Sequence, residues 1–101
     1  MDDSEYVVRD NPEELRYEIV RGGELLGEIR YRTEPGAIVL VHTDVAPSAE
    51  GHGVGTRLIE GALEDIRSRE LRVAPVCPFI RAYLRRHPEQ RDLVVRDPAI
   101  D

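Results

Sequence analysis

The hydrophobic pattern of this chain changes period once, and that change restricts its fold more than any other feature. Up to Val45 apolar residues largely alternate with polar ones, ending in the Ile/Val/Leu-rich run Ala37–Val45. Beyond it Val54, Leu58, Ile59, Ala62, Leu63 and Ile66 recur at three- and four-residue spacing. A period of two marks a strand and one near 3.6 an amphipathic helix. The two regimes meet at the glycine-rich segment Gly51-His52-Gly53-Val54-Gly55. The pattern predicts an α/β chain of the α+β type. Its 101 residues suit a single domain spanning 1–101, with no room for a second or for a full dinucleotide-binding fold.

The elements follow in order. Tyr6–Val8 is a short strand ended by the turn Asp10-Asn11-Pro12. Leu15–Val20 sets Leu15, Tyr17 and Ile19 against Arg16, Glu18 and Val20, the alternation of a half-buried strand. Arg21-Gly22-Gly23-Glu24 turns it into Leu25–Tyr31, and Glu34-Pro35-Gly36 turns again into Ala37–Val45, which reads as a strand buried on both faces. These three form an antiparallel meander. A helix over roughly Gly53–Arg69, a strand over Leu71–Val76 and a second helix from Pro78 to about Arg86 complete the pattern. His87-Pro88 ends that helix, and Leu93–Val95 could dock as an edge strand. Gly61 costs its helix about 1 kcal/mol relative to Ala unless a strand packs too closely to admit a side chain.

Charge narrows the partners. With 20 acidic against 14 basic residues, all of the latter Arg, and a pI near 5.1, the chain is ill suited to neutralising nucleic-acid phosphates. Its longest apolar stretch, Ala37–Val41, is far too short for a bilayer. The start Met1-Asp2-Asp3-Ser4-Glu5 is acidic where a targeting peptide is basic, so no membrane association and a cytoplasmic location are expected. Cys77 has no second cysteine to pair with, and His42, His52, His87 and Cys77 share no metal-ligand spacing.

Chemistry concentrates at three places. A helix opening in a glycine loop after a strand offers unpaired N–H groups at the positive end of its dipole, which can hold an anion; equally, the glycines can be a flexible lead-in to the helix. No Gly-Lys-Ser/Thr follows, so it is not a Walker loop, and Gly-x-Gly-x-Gly is not a Rossmann fingerprint. Cys77 stands where a strand gives way to a helix, a position that stabilises a thiolate, although free cysteines are as often core residues. His42, just before the loop, can serve as a general base or as a hydrogen-bonded strand residue.

Several segments together resemble the GNAT superfamily of acyl-coenzyme A-dependent N-acetyltransferases, and within it a small, minimal family of about this length. The loop frame Gln/Arg-x-x-Gly-x-Gly/Ala falls on Glu50-Gly51-His52-Gly53-Val54-Gly55; Gly53 and Gly55 match, while Glu50 places a carboxylate where an anion would approach. His42-Thr43-Asp44-Val45 is similar to the family's His-Thr-Glu-Val, and Cys77-Pro78-Phe79-Ile80 to its Cys-Pro-Phe, followed by Tyr83 and Arg86-His87-Pro88-Glu89. The resemblance implies a minimal GNAT fold, a mostly antiparallel twisted sheet with two main helices, and acetyl transfer from acetyl-coenzyme A to an amine: an exposed protein Lys or N-terminus, or a small polyamine.

It further implies coenzyme A binding by Val41, Thr43, Gly51, His52, Gly53, Val54, Gly55, Thr56 and Arg57. Backbone donors near Val41–Thr43 would hold the thioester carbonyl. Cys77, His42 and Tyr83 become the catalytic candidates: Cys77 as acetyl carrier or wall of the acetyl site, His42 as base, and Tyr83 as the acid for the departing thiolate. Tyr83 also belongs to an apolar helix face with Phe79, Ile80 and Leu84. Arg81, Arg85 and Arg86 are a solvated face or a contact for the adenosine 3′-phosphate. The other reading is a non-catalytic acyl-coenzyme A sensor or adaptor. The protein is expected to act as a monomer or weak dimer.

Overall fold

Antiparallel pairing runs without interruption through the first half of the chain. The computed structural model describes residues 5–95. Strands β1 (Tyr6–Asn11), β2 (Arg16–Arg21), β3 (Glu24–Glu34) and β4 (Ala37–Val45) pair each with the next. Helix α1 (Val54–Ser68) then carries the chain over the sheet to β5 (Arg72–Pro75), which lies parallel to β4 at the end of the order β1-β2-β3-β4-β5. Helix α2 (Pro78–Arg86) follows, and a 3-10 segment, Pro88–Leu93, buries Leu93. The edge strand expected over Leu93–Val95 is reduced to one parallel bridge, Val94 to Val73, with the Val95 N–H donating to the Val73 carbonyl.

The sheet turns one face to the helices. Val54, Leu58, Ile59, Ala62, Leu63 and Ile66 of α1 are buried on Tyr17, Ile19 and Ile29 of the central strands, and Ile80 and Tyr83 of α2 join the same core. The missing side chain of Gly61 is what lets α1 approach β1: a Cβ there would lie 2.6 Å from the Cβ of Val8. Beyond that contact, the Tyr17 hydroxyl donates to Asp65 and the Tyr31 hydroxyl to Asp10, each at 2.6 Å, and Arg69 binds both carboxylates. Burial first, then these carboxylates, push both phenols well above the usual tyrosine range.

β1 and β3 run on into the expected turns, to Asn11 and Glu34, and two strands depart from expectation in their burial. β2 is buried on both faces, because Glu18 accepts hydrogen bonds from Arg9, Asn11 and Arg16 and needs no water. Leu15 lies outside β2, exposed and at φ 53°. β4 is buried on both faces only over Ala37–Leu40; beyond Leu40 its residues are half-buried or exposed. The reason is its partner: β5 pairs with that half alone and stops at Pro75 opposite Leu40.

Candidate active site

The end of β5 opens a fork in the sheet. The amides of Val76 and Cys77 both donate to the Leu40 carbonyl at 3.0 Å, after which the chain turns away into α2. On the other side of β4 the register shifts: Arg30 faces His42 and Tyr31 faces Leu40, leaving Val41 as the extra residue of a bulge. The Ala46 N–H donates to Leu26 on β3 at 2.8 Å. Amides alternate in direction along an antiparallel strand, so those of Asp44 and His42 also face β3. Those of Thr43 and Val45 face the fork.

The loop beyond β4 is shaped for an anion by its backbone. Gly51 (φ 84°) and Gly53 (φ 73°) take left-handed conformations, and no side chain caps α1. The first amide with a helical acceptor is that of Arg57, bonded to the Gly53 carbonyl at 3.1 Å. The N–H groups of Val54, Gly55 and Thr56 precede it and stand at the positive end of the helix dipole.

A cleft of about 420 Å³ joins this loop to the fork, lined by Thr43, Val45, Ala49, Glu50, Gly51, Gly53, Val54, Gly55, Thr56 and Phe79. Of the residues predicted to hold a cofactor, it gathers Thr43, Gly51, Gly53, Val54, Gly55 and Thr56. His52 lines a second cavity on the other side of the loop, and Arg57 packs its guanidinium 5.1 Å from the centre of the Tyr6 ring. Val41 does not line the cleft; its place is the bulge.

The three predicted catalytic residues are separated. Cys77 caps α2, is buried, and has its Sγ 3.4 Å from the Thr43 hydroxyl, just behind the cleft wall. His42 lies on the other face of β4, with Nε2 3.1 Å from Asp44 and 58% of its side chain exposed. Tyr83 does not reach the cleft. It is buried, stacks on His87 at 4.1 Å between ring centres, and burial together with Glu60 and Glu89 raises its phenol further, making it a poorer acid. Six residues beyond Cys77 along a helix is about 9 Å of rise, which carries Tyr83 away from the fork.

Phe79, which the sequence pattern places on an apolar helix face, is instead a wall of the cleft. Its ring fills the place of a side chain at Gly55, where a Cβ would lie 3.0 Å from Cζ, and it remains 47% exposed. Gly55 therefore admits an aromatic wall rather than a special backbone angle. An exposed aromatic on a helix opened by Cys-Pro was available as a signal; its pairing with a glycine twenty-four positions earlier was not.

The donor set fits an acyl-coenzyme A. Uncapped amides of α1 suit a pyrophosphate, the apolar walls from Val45, Ala49, Val54 and Phe79 suit an uncharged pantetheine arm, and the fork amides of Thr43 and Val45 suit an acyl oxygen. Among the described residues, Glu50 is the one opposing charge on the wall. Among the described residues no group of three or more His, Cys, Asp or Glu is placed to hold a metal, and no helix is long and apolar enough to cross a membrane.

Known proteins share this fold. The chain is similar to a GCN5-like protein from Staphylococcus aureus solved by NMR, with 26% identity, a TM-score of 0.68, and coverage of 91% of this chain and 90% of that one. It shares its fold with the ribosomal-protein-S18-alanine N-acetyltransferase of Escherichia coli, at 13% identity and a TM-score of 0.55, over 73% of this chain and 43% of that enzyme. No curated protein matches it by sequence. A family model for GCN5-related N-acetyltransferases matches residues 16–93, the whole span from β2 to the buried Leu93, and the chain belongs to that family.

Proposed function

We propose that the protein transfers the acetyl group of acetyl-coenzyme A directly to an exposed amine, on a protein N-terminus or Lys side chain or on a small polyamine. The observation that carries this reading is the continuity of the cleft, from the uncapped amides of α1 to the fork amides beside Thr43. The cofactor supplies an activated acyl carbon and a thiolate leaving group. The chain's own part is to bind and orient. Amides at Val54–Thr56 hold the anionic middle of the cofactor, Phe79 and Val45 exclude water from its arm, and the amides of Thr43 and Val45 donate to the oxygen that gains charge in the transition state.

The acceptor then enters from the opposite face of the fork, where His42 stands. Its Nε2 is engaged by Asp44, leaving Nδ1 to take the proton that an ammonium must lose before it attacks. Among the described residues both helices pack into the one core on the sheet's other face, leaving this face open to a large acceptor, and a chain with 20 acidic residues against 14 basic ones attracts a cationic one. The acetyl-Cys77 route is a second reading, favoured by the 3.4 Å approach of the Cys77 thiol to Thr43. The burial of that thiol favours direct transfer.

The test is release of free coenzyme A from acetyl-coenzyme A in the presence of a panel of amines: a peptide with a free N-terminus, an N-blocked Lys peptide and spermidine. Release with at least one, and none without an amine, is expected. Absence of release with every amine overturns amine acetylation. Intact mass of the protein after exposure to acetyl-coenzyme A separates the two routes, since only the second adds one acetyl group that Cys77→Ser abolishes.

A further inference from the structure

A second cavity of about 280 Å³ lies on the other side of the glycine loop from the acyl cleft. That is just below the ~300–1,000 Å³ usual for small-molecule sites, so it suits a small ligand. The β2–β3 hairpin supplies its charges. Arg21 and Glu24 are register partners flanking the Gly22-Gly23 turn, and both line the cavity. The Cα atoms of such partners stand about 4.5–5.5 Å apart, close enough for a cross-strand ion pair. No ion pair forms between them. Arg21 turns instead to Tyr6, donating to its hydroxyl at 3.1 Å and lying 5.2 Å from the centre of its ring. Among the described residues the Glu24 carboxylate has no hydrogen bond or ion pair. The hairpin thus holds a cation and an anion side by side, neither neutralising the other.

The rest of the lining adds an apolar floor. Leu26, Ala49 and Val54 are buried there, while Ser48 and His52 stand exposed at the rim. A lone anion would gain at Arg21 and lose at Glu24, and a lone cation the reverse. A ligand that answers both needs a carboxylate for Arg21, an ammonium for Glu24 and a short apolar group for the floor. We infer that the cavity binds a small zwitterion of that kind, a free α-amino acid with an aliphatic side chain. The site is separate from the acetyl transfer proposed above and does not rest on it. Ala49 and Val54 also line the acyl cleft, so this ligand rests on the back of the loop whose front forms the cleft wall.

The experiment is an NMR titration of the full chain with L-leucine, following the backbone amides of Gly22, Gly23, Ser48 and His52. Saturable shifts with a Kd in the millimolar range or tighter are expected. L-leucinamide keeps only the ammonium and N-acetyl-L-leucine only the carboxylate. Each should bind about tenfold more weakly than leucine, as the loss of one charge-assisted contact predicts. Glu24→Gln should abolish the advantage of leucine over N-acetyl-leucine, and Arg21→Gln its advantage over leucinamide. Glu24 is exposed and unpaired, so its variant keeps the fold and carries the test if Arg21→Gln, which also loses the Tyr6 contact, does not. Absence of saturable shifts overturns the inference, as does equal affinity for the three probes or an advantage that both substitutions leave intact. Coenzyme A added to the leucine-bound protein should leave leucine in place; displacement gives the cavity to the cofactor and overturns the inference. The leucine titrations involve no coenzyme A, so their failure leaves the proposed activity standing.

Discussion

The hydroxyl of Thr43 lies 3.4 Å from the thiol of Cys77, tying the cleft wall on β4 to the first turn of α2. This side-chain contact bridges the fork, and it places the thiol behind the wall rather than in it. If transfer is direct, Cys77→Ala should keep kcat within about threefold, a change under ~1 kcal/mol in the barrier. It should also lower stability by about 1 kcal/mol for the small cavity left. Steady-state rates and urea midpoints on the same preparations check both. A loss of a hundredfold or more with an unchanged fold moves the chemistry onto the thiol.

Gly61 and Val8 make a second testable pair. On helix propensity alone Gly61→Ala should stabilise by about 1 kcal/mol. A Cβ at that position would lie 2.6 to 2.8 Å from all three branching carbons of Val8, which are too stiffly held to swing aside. The substitution should instead destabilise by roughly 1–3 kcal/mol, the usual cost of overpacking. In a Val8→Gly background, which also removes the Cβ that lies closest, that cost should largely vanish, giving a favourable coupling in the double-mutant cycle.

These two pairs mark the limits of what the residues disclose in one dimension. The meander, both helices and the loop frame at Gly53 and Gly55 were legible because they rest on local periodicity and turn chemistry. Gly61 was legible as a conditional: a helix glycine is costly unless something packs on it, and β1 does. Four features needed the third dimension. Glu18 reads as the polar half of an alternating strand until Arg9, Asn11 and Arg16 converge on it. His42 and Cys77 read as neighbours of one site until alternation along β4 sends His42 to the other face. The inner half of β4 is buried and the outer half is not, because β5 stops at Pro75. Tyr83 fits the family pattern for an acid, yet α2 turns it into the core against His87.

Glu18 predicts how the fold responds to acid. Burial on its own would raise this carboxyl, but hydrogen bonds from Asn11, Arg16 and Arg9 outweigh burial and hold it at about 2, against 4.5 for an ordinary glutamate. A carboxyl depressed in the folded state adds stability that is complete above the unfolded value and drains away as pH falls from about 4.5 toward 2. Urea midpoints should therefore fall steeply across that window. Glu18→Gln should be less stable at neutral pH and show a shallower fall. Asp92→Asn, at a carboxyl lowered by Arg67 but exposed to solvent, should leave the slope nearly unchanged. A slope indifferent to Glu18→Gln would remove it from the acid response.

Glu50 sits on the wall of the cleft, at the first position of the glycine-loop frame, and close to amides that offer an anion a positive field. A single exposed charge near a helix N-terminus is worth about 0.3–1 kcal/mol and is screened by salt. Removing it as Glu50→Gln should tighten coenzyme A binding roughly two- to fivefold at low ionic strength, and Glu50→Arg by more, since the sign of the local charge reverses. The advantage should shrink as salt approaches ~1 M, where the Debye length falls to about 3 Å. Because the contact is electrostatic, 3′-dephospho-coenzyme A should gain by the same factor, as its pyrophosphate is unchanged. Affinity titrations of both ligands at two salt concentrations measure this. An affinity that drops in Glu50→Gln would mean that the carboxylate orders the loop, and that the preformed amides at Val54–Thr56 depend on it.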